Sequence, residues 1–277
     1  MRICLLLLAL LISDMASADE TRISPAHPDP GGWLVHEVVS EYQSAPTTIR
    51  VLLPEPLLPE RPCRVVYALP VEAALESRYG DSLIEIRKQN LHQIHQIIVV
   101  APSFAQLPWY ADHPNDPGIR QETYFLNVVI PFIEKTYPVE KSPSGRLLLG
   151  FSKSGWGAWA LLLRHPDRFA AALAWDAPLT MDWPSKYGSE PIFGSADNFA
   201  LYRIIPLLRN YRDNFPSDRR LILTGFGGFR ADHQEIHNLL DELHIPHTYR
   251  DGPERKHDWH SGWVAEGFPL LLETTSD

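Results

Sequence analysis

The stretch Arg146-Leu-Leu-Leu-Gly-Phe-Ser152-Lys-Ser-Gly-Trp-Gly-Ala158 organises the reading of this chain. Its apolar run, Leu147 to Leu149, predicts a short buried strand. Small residues, Gly150 and Ser154, flank Ser152 two positions away on either side. That spacing suits a sharp strand-to-helix turn that lifts a serine hydroxyl above the carboxyl end of its strand. The helix expected from Gly155 to Arg164 would bring N-terminal N–H groups to the place where a developing oxyanion needs donors, with the Lys153 N–H foremost. A phosphate cradle would require G-x-x-x-x-G-K-[ST], which is absent, and plain turn chemistry would carry no function at all. A reactive serine needs a base and an acid, so the rest of the chain is read for them.

Outward from that turn, short apolar runs alternate with helical periodicity. Arg64 to Leu69, Ile97 to Ala101, Phe169 to Trp175, Leu221 to Thr224 and His247 to Arg250 read as strands. Residues 81–95, 120–137, 196–211, 231–243 and 262–272 read as helices, with Asp81 at an N-cap and Pro131 inside the second of them. Such alternation predicts an α/β fold with a mostly parallel, doubly wound sheet. Trp33 to Ser40 and Thr47 to Leu53 alternate as an antiparallel N-terminal strand pair. Ligands in these sheets bind beyond the carboxyl ends of the strands, so the loops after 69, 101, 150, 175, 224 and 250 are expected to ring one cleft.

The chain has 277 residues, 44% of them hydrophobic, enough for one substantial core. Arg2, the apolar run Ile3 to Ile12 and Ala16-Ser17-Ala18 read as the n-region, h-region and cleavage site of a signal peptide spanning residues 1–18. The expectation is therefore an exported protein, secreted or periplasmic, with residues 19–277 as a single domain and no stable membrane insertion after cleavage. Removal of Cys4 would leave Cys63 alone, so no internal disulfide is expected. A net charge of −9 argues against nucleic acid as a partner.

Three segments carry a family resemblance: Thr136-Tyr-Pro-Val, the Arg146 to Ala158 stretch, and Arg164-His-Pro-Asp-Arg-Phe-Ala-Ala-Ala. Together they resemble the α/β-hydrolase putative-esterase family, which includes esterase D-like enzymes, feruloyl esterases and mycolyltransferases. The likeness runs from about residue 64 to 272. It implies an α/β-hydrolase with a Ser-Asp-His set and acyl-ester chemistry. Two departures stand out: Leu69-Pro70-Val71 replaces the family's strand-end His-Gly, and Ser154 stands where Gly is usual.

In this chain order the acid follows the serine and the histidine comes last. Beyond the last strand lie His257 and His260, and Lys256-His257-Asp258-Trp259 resembles the family's His-Asp-Trp ending, so His257 is the expected base and His260 the fallback. Asp232 sits where the family places its acid, although an Asp at a helix start also serves as a cap. Asp176, closing the strand before, competes for the role and is otherwise expected to contact substrate. Since Pro70 has no N–H, Val71 is the expected second oxyanion donor. Trp109, Tyr110 and Trp259 are expected as substrate-binding aromatics beside the cleft.

Two cofactor readings are weighed and set aside. Gly225-Phe-Gly-Gly228 lacks the third glycine of a dinucleotide fingerprint because Arg230 holds its place. His233 and His237 are four apart on a predicted helix, but His-Gln-Glu-Ile-His is not H-E-x-x-H, so no metal and no cofactor are assigned. The function expected is a serine esterase acting through an acyl-enzyme on a small-molecule or carbohydrate ester. The alternatives are an acyltransferase, or a catalytically weak glycan-binding member of the same fold, suggested by the altered Leu69-Pro70-Val71 segment.

Overall fold

The computed structural model describes residues 21–73, 78–211 and 220–273. The signal peptide expected at residues 1–18 lies outside the described residues. The strands are β1 Arg22–Ile23, β2 His27–Pro28, β3 Leu34–Val39, β4 Thr47–Leu52, β5 Val65–Ala68, β6 Ile98–Pro102, β7 Arg146–Phe151, β8 Ala171–Trp175, β9 Arg220–Phe226 and β10 His247–Glu254. They form one sheet in the order β1-β3-β4-β6-β5-β7-β8-β9-β10, with β2 paired to β3. From β6 to β10 neighbouring strands run parallel, while β3, β4 and the β4–β6 contact are antiparallel, as the sequence pattern anticipates.

The central strands are apolar on both faces because helices cover both. In β7, Leu148 enters a core with Trp156, Trp159 and Phe169, while Leu147 and Leu149 enter the opposite one with Ile86, Trp263 and Phe268. Helices Ser152–Arg164 and Arg230–Glu242 contribute to the first core, and Ser82–Lys88 and Trp263–Leu272 to the second. Gly155 lets the first of these helices approach closely: a Cβ there would lie 2.9 Å from that of Ala177.

Three expected helices are interrupted, each for a local reason. Residues 81–95 divide into Ser82–Lys88 and Leu91–Ile94 because Asn90 takes a left-handed conformation between them. Around Pro131, α-helices Gln121–Tyr124 and Ile130–Thr136 flank a π-turn at Phe125–Val129. Proline has no N–H to donate, and the wider turn absorbs that break in the ladder. Residues 196–211 separate into Ala196–Ala200 and Ile204–Tyr211. Among the described residues, no helix is long and apolar enough to cross a membrane.

Candidate active site

Ser152 stands at the junction of β7 and the helix Ser152–Arg164 with φ +53, a strained value for a residue with a Cβ. The turn is held from both sides. Its N–H donates to the Asp176 carbonyl at 3.2 Å, joining the ends of β7 and β8. A Cβ on Gly150 would come within 2.3 Å of the Ser154 carbonyl oxygen, so the chain can fold this tightly only with glycine there.

The unusual Ser154 proves useful to the turn. Fully buried, its hydroxyl donates to the Phe151 carbonyl at 2.9 Å and accepts the Phe151 N–H at 3.1 Å. It therefore takes up the N–H of the residue before the helix, which has no helical acceptor, and adds a donor to that residue's carbonyl. The Lys153 N–H lies in the first helical turn, where backbone donors have no intrahelical acceptor. Its ammonium reaches across the site to Glu72, 3.3 Å away, and burial pulls its pKa down against the attraction of that carboxylate.

His257 lies past β10, and its Nδ1 is 2.6 Å from Asp176 Oδ2. A carboxylate can only accept here, so Nδ1 carries the proton and Nε2 is left with its lone pair. The ring is boxed by aromatic edges: Phe151 at 5.0 Å, Tyr79 at 5.5 Å and Phe229 at 5.9 Å between centroids. Asp176 is completely buried and has φ +41. Burial pushes its pKa up, but the bond from His257 and those from the amides of Gly227, Phe229 and Gly228 prevail and hold it below the ordinary carboxylate value. Two of these amides are well placed: Gly228 N–H at 2.8 Å and Phe229 N–H at 2.7 Å from Oδ1. The glycine-rich loop after β9 thus cradles a side-chain carboxylate, and a Cβ on Gly227 would lie 2.6 Å from Oδ2.

This arrangement corrects the expectation for Asp232. Its carboxylate accepts from the Thr180 hydroxyl at 2.6 Å and the Thr180 N–H at 3.2 Å, in the first turn of helix Arg230–Glu242, and has no bond to His257. The physical reason is that the loop after β9 turns back over the end of β8 and offers Asp176 its amides, which leaves the imidazole to that buried acid. The fallback base, His260, is also committed elsewhere. Its Nδ1 faces Glu85 Oε2 at 3.0 Å, and its Nε2 accepts the Asp81 N–H at 3.2 Å.

Ser152 and His257 line a cleft of about 390 Å³ with Glu72, Arg78, Tyr79, Leu107, Lys153, Pro178, Tyr187 and Phe229. No hydrogen bond joins the Ser152 hydroxyl to the imidazole in this structure; such contacts often tighten only when substrate is bound. A larger cavity of about 690 Å³ beside Trp33, Ile84 and Arg87 contains neither residue. The aromatics expected at the cleft are mostly core residues. Trp109 is wholly buried edge-on to Trp156, Trp259 packs edge-on to Phe151, and the Tyr110 hydroxyl donates to the Pro70 carbonyl at 2.6 Å. That last bond fixes the segment holding Val71, whose side chain is buried in the core beside β5. Tyr79, Tyr187 and Phe229 form the aromatic wall instead, and all three sit on or beside strand-end loops that the sequence assigns to the cleft.

The His233–His237 pair, set aside on its spacing, is not brought together as a ligand pair. His233 is buried, with Nε2 accepting the Ala177 N–H at 2.9 Å, and burial drives its pKa down to about 4. Its ring therefore supports the backbone just after Asp176.

A serine on a strand-to-helix elbow, beside a carboxylate-bound histidine at the carboxyl end of a mostly parallel sheet, defines an α/β-hydrolase. The chain belongs to the putative esterase family, whose sequence pattern matches residues 40–198. Solved structures agree in fold. An S-formylglutathione hydrolase from Agrobacterium tumefaciens superimposes with a TM-score of 0.70 at 17% identity, covering 92% of this chain and 99% of that one. A ferulic acid esterase gives 0.69 at 18%, covering 92% and 98%. The S-formylglutathione hydrolase of Staphylococcus aureus gives 0.68 at 17%, covering 87% and 98%. A comparison with curated proteins finds no match.

Proposed function

We propose that this protein is a serine carboxylesterase in which Ser152 is the nucleophile, His257 the general base and Asp176 the acid that orients the imidazole. The observation that carries this reading is the short bond from His257 Nδ1 to a fully buried Asp176, next to a serine held at positive φ. The free Nε2 takes the Ser152 proton as the hydroxyl attacks an ester carbonyl. The tetrahedral oxyanion is held by the Lys153 N–H, with the Val71 N–H as second donor. Collapse of the intermediate expels the alcohol, protonated by the imidazolium, and leaves an acyl-enzyme that water hydrolyses by the same route.

Cleft chemistry supports an ester with an aromatic or otherwise apolar group, received by Leu107, Tyr79, Tyr187 and Phe229. We extend the reading to acyl groups borne on a carbohydrate, and to export directed by residues 1–18. Incubation with a fluorophosphonate should label the wild type at Ser152 stoichiometrically and leave Ser152→Ala unlabelled. Turnover on a panel of acetyl, feruloyl and short-chain esters should vanish in the same variant. A folded wild-type protein that neither labels nor hydrolyses any ester would sink the proposal. Export is checked separately: the N-terminus of protein recovered outside the cytoplasm should begin at Asp19.

A further inference from the structure

We propose that His237, Asp241 and His247 bind a divalent transition-metal ion, zinc being the reference, at the end of the sheet opposite the catalytic cleft. Residues 237 and 241 are one helical turn apart, so both side chains leave helix Arg230–Glu242 on one face. The turn that follows is tight: the His244 N–H donates to the Asp241 carbonyl at 3.1 Å and the Ile245 N–H to the Leu240 carbonyl at 2.9 Å. This brings His247, the first residue of β10, beside the helix end. Ligand atoms from the three side chains all lie within 4.8 Å of one another.

The His247 imidazole is supported as a metal-binding histidine usually is. Nδ1 of His247 lies 2.9 Å from the Ile245 carbonyl, which can only accept, so this nitrogen holds the proton and Nε2 keeps its lone pair. A backbone carbonyl that fixes the tautomer in this way is the usual outer support of a ligating imidazole. That lone pair accepts the His237 Nδ1–H at 2.8 Å, which leaves the His237 lone pair on Nε2, and the His237 ring is steadied by Tyr249 stacked at 4.2 Å. Asp241 completes the set, with Oδ2 3.6 Å from His237 Nε2 and Oδ1 4.0 Å from His247 Nε2. Tetrahedral zinc with bonds of about 2.0–2.1 Å wants ligand atoms roughly 3.3–3.4 Å apart. The Asp241 oxygens stand 3.6 and 4.0 Å from the two Nε2 atoms, so the side chains turn inward and the His237–His247 hydrogen bond opens as the shell closes, with water in the fourth place. Two imidazoles and one carboxylate favour zinc, nickel or copper over calcium or magnesium.

The ion's place gives it a structural use. Among the described residues β10 is an edge strand, paired only with β9, and its far end leads to His257. A metal at His247 would pin the near end of that strand to the helix, away from the chemistry.

The test uses full-length protein without a histidine tag, stripped with chelator, and titrated with zinc chloride calorimetrically. The expected result is one equivalent bound at micromolar zinc, with a rise in Tm that chelator reverses. Asp241→Asn and His237→Ala alter partly exposed side chains and should each weaken binding roughly tenfold or more. Cobalt loaded into the same site should give the intense visible absorption of tetrahedral coordination, lost in both variants. Absence of binding, or equal binding by the wild type and both variants, overturns the proposal. Because binding and spectrum are read without turnover, the outcome is independent of the esterase reading.

Discussion

Asp176 and Asp232 are both carboxylates at the carboxyl end of the sheet, yet their surroundings differ in kind. Asp176 is buried, bonds His257 and receives amides from the loop after β9, whereas Asp232, among the described residues, receives only Thr180. Replacing Asp176 by Asn should leave the fold intact and lower kcat by about 10³–10⁴-fold, because an amide can donate to Nδ1 and hold the wrong tautomer. Asp232→Asn should keep kcat within a few-fold and cost about 1 kcal/mol through its helix-terminus and Thr180 contacts. Measuring kcat for both variants on one chromogenic ester decides the point; a larger loss in Asp232→Asn would return the role to that residue. Gly227→Ala tests the cradle itself. A Cβ 2.6 Å from Oδ2 must push the loop or the carboxylate aside, so kcat should fall while fluorophosphonate labelling slows in parallel.

At the scale of elements, the elbow is set by how β7 meets its helix. Gly150 and Gly155 admit the close approach, and Ser154 occupies the backbone groups of Phe151. Ser154→Ala removes a buried hydroxyl that makes both bonds and should cost about 1–2 kcal/mol in denaturant unfolding. Most turnover should survive, since Ser152 keeps its own anchor on the Asp176 carbonyl. Loss of activity equal to that of Ser152→Ala would mean that the wrong serine has been assigned.

Across the whole molecule, buried ionisable groups predict a loss of stability in acid. Glu122 ties the elements together at a distance from the cleft, accepting from Arg164 at 2.7 Å, from His165 at 2.7 Å and from the Tyr202 hydroxyl at 3.0 Å. Burial works to raise its pKa, but these partners outweigh it and bring it to about 2 from an ordinary 4.5. A depressed carboxylate stabilises the fold above its unfolded pKa, and that contribution is lost as pH falls from about 4.5 through about 2. The difference of 2.5 units corresponds to about 3 kcal/mol, as an order of magnitude. His233, lowered by burial to about 4 from 6.5, acts in the same sense at higher pH: stability present above 6.5 declines as pH drops towards 4. Denaturant unfolding measured from pH 7 to 2.5 should therefore show a steady decline. Glu122→Gln should be less stable than the wild type at pH 7 and show a shallower slope below about 4.5. An unchanged slope would show that the Glu122 network does not govern acid stability.

Local chemistry made the strand pattern, the elbow and the two outer members of the site readable from sequence. Apolar runs of strand length, a serine between small residues and a histidine after the last strand are all short-range signals. Which carboxylate meets the His257 imidazole was not legible at that range. Asp176 and Asp232 satisfy the same chain order, and a long-range turn of the glycine-rich loop, directed by the pairing of β8 with β9, gives the imidazole to the first. A signal was present in Gly225-Phe-Gly-Gly228, since glycines close to a strand end often mark a backbone that must approach another group. Burial separated the tryptophans in the same way. Sequence places Trp109 and Trp259 near the cleft loops, but only the packing of both helical layers against the sheet turns them inward and leaves Tyr79, Tyr187 and Phe229 on the wall. Residue type and spacing determined the fold class and the tight turn that carries Ser152, because those depend on neighbours in the chain. Partner choice among carboxylates and aromatics was decided by tertiary structure, because it depends on which distant backbone arrives beside them.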